Sequence, residues 1–162
     1  PEIVMNVASA IARSQNSVFL MDINFRTNQV GKMFNLDNAT VLSDLLTDVA
    51  TEQISIGNAE PYPNLKVLPS GTATTEHSFD MLASPRMLQI LQLLRKTSKN
   101  YSHLLVTAPP FADMEDSLTL VSQVDSVVIV VKNRTVTFTK VREAIAKMES
   151  FGGHVRGILV IQ

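Results

Sequence analysis

The chain has no cysteine, which excludes disulfides and thiolate metal sites and fits a reducing compartment. It also lacks any apolar run approaching the roughly 20 residues needed to span a bilayer, and its start shows no signal-peptide order of charged, apolar and small residues. Direct membrane insertion by this chain is not expected. An excess of one charge is missing too. Fourteen basic against fifteen acidic side chains leave a formal net charge of −1, so no overall field draws the protein to nucleic acid or to an anionic bilayer. The three histidines, His77, His103 and His154, are scattered without metal-ligand spacing. No internal repeat, low-complexity tract, Ser/His/Asp set or paired-carboxylate arrangement stands out.

What is present fits an ordinary globular protein: 162 residues, 45% hydrophobic and 18% charged, enough for one well-buried core and one compact domain over residues 1–162. The stretch Ser17 to Arg26, SVFLMDINFR, organises the reading. An apolar run ends at Asp22 and is followed by a turn carrying Asn24 and Arg26, the pattern of a buried parallel strand delivering a carboxylate to the edge where open α/β sheets place ligands.

Before it, Ile3, Val4, Val7, Ala8 and Ile11 make a helical stripe within residues 2–15, with Pro1 suited to a first turn. After it come short helical patterns at Val30–Phe34 and Val41–Leu46, then a loop over Thr47–Pro63 and a strand over Leu65–Leu68 closed by Pro69, Ser70 and Gly71. Ser84-Pro85-Arg86 starts the clearest helix, with a serine cap, proline at the first position, and Met87, Ile90, Leu91 and Leu94 facing inward. His103–Val106 reads as a strand stopped by Thr107-Ala108-Pro109-Pro110. Ser126–Val131, SVVIVV, is the most β-branched run and reads as a central strand. A helix over Lys140–Ser150 and a strand over Val155–Ile161 close the chain. Five strands alternating with helices predict an α/β fold, a mostly parallel central sheet with helices on both faces.

The order of these elements and their motifs, from Ile3 to Ile161, resembles the ATP-binding domain of the bacterial tyrosine kinases that regulate exopolysaccharide and capsule synthesis. Those kinases are a branch of the Min-type and Par-type P-loop ATPases. Asp22, Asn24 and Arg26 match the family's Asp-x-Asp-x-Arg strand end, Ser84 to Met87 its Ser-Pro-Arg-Met helix start, and Thr107 to Pro110 its Asp-Thr-Pro-Pro turn. The resemblance implies a P-loop NTPase-like fold. It also implies a site for ATP and Mg²⁺, built from a phosphate loop and the acidic residues at two strand ends. It places the strand feeding the phosphate loop upstream of residue 1, so the chain is expected to be a fragment of a longer polypeptide.

The departures fall on that site. Pro1 stands where the phosphate loop's hydroxyl is expected, and proline neither donates a backbone hydrogen bond nor ligates a metal. Asn24 replaces the second carboxylate, Thr107 replaces the aspartate of the proline turn, and Ile161 replaces a purine-side asparagine. The family positions left as candidate site residues are Asp22, Asn24, Arg26, Thr107 and Pro109, with Asp22 a vestigial catalytic carboxylate and no metal site. Each also has a plain structural reading: Asp22 as the cap of a local turn, Arg26 as a surface arginine, Thr107 as a strand end. The Lys132-Asn133-Arg134 loop at the ligand edge reads as a solvated loop. Only Tyr62 and Tyr101 are present, and neither lies in a tyrosine-rich tail of the kind autophosphorylating family members carry.

The resulting expectation is a degenerate kinase-like domain with no cofactor, acting by protein interaction in exopolysaccharide or capsule biosynthesis or export. Its expected partner is a membrane-anchored polysaccharide co-polymerase or export protein, with homo-oligomers by family resemblance and no nucleic acid. The place would be the cytoplasm, at the inner face of the cell membrane through a partner or an upstream segment. The alternative is an active tyrosine autokinase or ATPase using ATP and Mg²⁺, whose phosphate loop precedes Pro1.

Overall fold

The computed structural model describes residues 2–36, 39–47, 56–71, 77–97, 100–110 and 114–162. Pro1, named in the sequence reading, and residues 48–55 of the loop expected over Thr47–Pro63 lie outside the described residues. The chain divides into two compact units, Pro1–Pro109 and Pro110–Gln162.

In the first unit, helix α1 (Glu2–Arg13) precedes strand β1 (Val18–Asp22). Two short helices follow, α2 (Gln29–Met33) and α3 (Leu42–Thr47), then strands β2 (Gly57–Ala59) and β3 (Tyr62–Leu68). Helices α4 (Ser78–Leu82) and α5 (Pro85–Thr97) and strand β4 (His103–Thr107) complete the unit. The strands form one sheet in the order β2-β3-β1-β4. β1 is parallel to both neighbours, with Val18 opposite Leu65 and His103, and Asp22 opposite Thr107.

The apolar run of β1 takes the central place because it can be buried on both faces. All five of its residues are buried. Val18 and Leu20 pack with Leu65 and Val67 against Met5, Ala8 and Ala12 of α1. Each fully buried aliphatic side chain of this cluster contributes about 1.5–3 kcal/mol relative to exposure. The stripe on α1 is turned slightly from the expected one: Val7 is 43% exposed, and Met5 and Ala12 face the sheet. Small residues at positions 8 and 12 let the helix approach closely. Asn64 on β3 then ties down the helix end, donating from Nδ2 to the carbonyls of Ala12 at 2.8 Å and Asn16 at 2.7 Å.

One local expectation is corrected, and two features join it that the sequence reading did not address. The loop expected over Thr47–Pro63 contains β2, which pairs antiparallel with β3, and β3 itself begins at Tyr62. An unforeseen helix, α4, precedes the Ser84 cap. β4, apolar at Leu104, Leu105 and Val106, is an edge strand among the described residues, and Leu104 is 37% exposed. Apolar residues on both faces of an edge strand are unusual, since edges are ordinarily blunted by charge, proline or bulges.

The second unit contains α6 (Met114–Leu118), a 3₁₀ turn (Val121–Gln123), β5 (Val127–Lys132), α7 (Phe138–Ser150) and β6 (Val155–Ile161). β5 and β6 are parallel and pair with each other alone among the described residues; a second neighbour for β5, which its composition suggests, is not seen among them. Leu118 and Ala144 form a small core with Ile129 and Met148. The alternate residues Val128 and Val130 are 59% and 46% exposed. Helix α7 starts two residues before Lys140, capped by Thr137, and ends where Gly152 adopts φ 82°. No helix among the described residues is long and apolar enough to cross a membrane.

Candidate functional site

Four of the five candidate residues lie together at the C-terminal edge of the four-stranded sheet. Asp22 ends β1 and Thr107 ends β4, directly opposite each other in the parallel register. Beyond Thr107, the Ile23 N–H donates to the Thr107 carbonyl at 2.9 Å, so the two strand ends continue side by side.

Asp22 is 2% exposed, and its oxygens are engaged within the fold. Oδ1 accepts the Asn24 N–H at 2.9 Å, and Oδ2 lies 3.3 Å from the Ser70 hydroxyl. Burial pushes its carboxyl up from 3.8 to about 6, opposed less strongly by the Asn24 N–H and the Ser70 hydroxyl. Desolvation penalises the charged form, and neutral donors only partly compensate. Asn24 repeats the device: its Oδ1 accepts the Arg26 N–H at 3.2 Å. Both polar side chains therefore cap successive turns of the loop, as Asp and Asn do wherever the backbone two residues on is free. The turn-capping reading of Asp22 is the observed geometry. Arg26 is exposed. Pro109 follows two residues after Thr107 and is half-buried. Pro1 lies outside the described residues, and Ile161 belongs to the second unit.

One participant was not read from the sequence. Ser70, fully buried, sits beyond the end of β3 and bridges to β1: its hydroxyl lies 3.0 Å from the Asn24 carbonyl as well as near Asp22. The backbone of the same turn holds α3, with the Leu42 N–H donating to the Pro69 carbonyl at 2.7 Å and the Ser43 N–H to the Ser70 carbonyl at 2.9 Å. The only signal available was position: a serine just after β3, the strand that lies parallel beside β1. The Ser84-Pro85-Arg86-Met87 element also has a structural account. Ser84 Oγ accepts the Met87 N–H at 3.2 Å, and Arg86 Nε donates to the Leu45 carbonyl in α3, satisfying one of that short helix's terminal acceptors.

A Mg²⁺-nucleotide needs hard oxygen donors that are anionic and free to turn toward the metal. The described residues do not supply that set. Among the described residues, the strand-end carboxylate Asp22 has its oxygens bonded inward and its proton affinity raised, and the facing position is a neutral threonine. Among the described residues no group of three or more acidic or histidine side chains is placed to hold a metal.

The family model described as AAA domain matches residues 2–160. The chain belongs to that family. The tyrosine-protein kinase ptk of Acinetobacter johnsonii is 28% identical over 156 residues, 96% of this chain but 20% of that kinase. The chain thus spans a fifth of the length of this relative. Among solved structures, the kinase domain of VpsO is similar at a TM-score of 0.82 and 21% identity, over 98% of this chain and 75% of that one. MinD of Aquifex aeolicus is similar at a TM-score of 0.67 and 20% identity, over 96% and 60%. The fold is that of the P-loop NTPases of this kind, α/β with a mostly parallel sheet.

Proposed function

We propose that this AAA-family domain is a tyrosine-kinase-like P-loop domain that acts by protein interaction in bacterial exopolysaccharide or capsule biosynthesis or export, without turning over ATP. The observation that carries it is the pairing of Asp22 with Thr107. One carboxylate bonded into its own loop, opposite a neutral hydroxyl, is a poor basis for phosphoryl transfer, whose catalysis is almost wholly positioning and charge neutralisation. Its partner is a membrane-anchored co-polymerase or export protein, and its place is the cytoplasmic side of the membrane, where copies of the domain assemble with one another. Titration calorimetry with Mg-ATP, on the full polypeptide with whatever precedes Pro1, tests this. The expected result is no turnover; micromolar binding accompanied by ATP hydrolysis or tyrosine phosphorylation overturns it.

The likeness to a tyrosine-protein kinase supports a second reading, an active autokinase whose phosphate loop precedes Pro1. That reading requires a Gly-rich Gly-Lys-Ser/Thr segment upstream, and sequencing upstream of Pro1 discriminates the two.

A further inference from the structure

We draw no further inference here: the strongest candidate, the apolar face of the β5–β6 pair turned away from the Leu118 and Ala144 core, where Val128, Val130 and Leu159 are exposed, carries none, because nothing among the described residues shows what covers it.

Discussion

Ser70 and Asp22 are 48 positions apart, yet the Ser70 hydroxyl lies 3.3 Å from the Asp22 carboxylate, buried at the shared edge of β1 and β3. The same hydroxyl is 3.0 Å from the Asn24 carbonyl and 3.2 Å from the Gly71 carbonyl. It has one proton for three acceptors. The serine proton is thus shared among competing acceptors, and its support for the charged carboxylate is outweighed by burial, which keeps the proton affinity of Asp22 raised.

Stability should follow the Asp22 proton. The folded carboxyl sits at about 6 against an ordinary value of 3.8, so the native state binds more protons than the unfolded state between those values. Stability is then greatest below the lower value, falls as pH rises through the window, and levels off above about 6. The full fall is at most about 3 kcal/mol. Asp22→Asn keeps an acceptor for the Asn24 N–H and removes the titration. Urea denaturation across this range should show the variant more stable than wild type at pH 7.5 by about 1–3 kcal/mol, with a flatter profile. Parallel profiles for the two proteins would contradict the assignment.

Ser70→Ala removes a donor that favours the charged form of Asp22. The Asp22 pKa should rise further, as followed by carboxyl NMR, and stability at pH 7.5 should fall by about 1–2 kcal/mol, the usual cost of stranding a buried acceptor. An unmoved pKa would mean the hydroxyl spends its proton on the carbonyls alone.

Gly71→Ala should be more damaging than an exposed-loop substitution. Gly71 has φ 74°, and a Cβ there would collide with Ser43 Oγ and lie 2.7 Å from Val41 Cγ2. Left-handed backbone costs an alanine about 1–2 kcal/mol before any clash, so a loss of at least about 2 kcal/mol is expected, with faster amide exchange in α3, whose first amides this turn holds. Wild-type stability in this variant would show that the turn relaxes freely.

Asn64→Ala leaves the Ala12 and Asn16 carbonyls without their shared donor, and a loss of about 1–3 kcal/mol is expected. Hydrogen exchange should quicken at the end of α1 while the amides of β1 stay protected. Uniform quickening would instead mean that helix and sheet unfold as one unit.

Much of this structure is local and was legible in the residues. The run Val18–Asp22 specified a strand buried on both faces because no polar residue interrupts it. Ser84 and Pro85 specified a helix start because cap and first turn lie within four residues of each other. The two glycines after Ser150 specified a helix end because only the left-handed conformation closes it cheaply. The hairpin of β2 and β3 escaped, since a three-residue strand carries no period and exists only through its partner. The solvent-exposed halves of β4 and β5 escaped for the same reason: composition tells how apolar a strand is, and pairing tells how many neighbours it has.

The family site divides along the same line. The sequence by itself determined which chemistry stands at the strand ends, one carboxylate at Asp22, an amide at Asn24 and a neutral hydroxyl at Thr107, because side-chain identity needs no fold to be read. Only the tertiary structure decided what that carboxylate does. Its partner Ser70 arrives from β3 through a parallel register, and its desolvation comes from packing between two strands distant in sequence. Proton affinity depends on those surroundings, which no window around residue 22 contains.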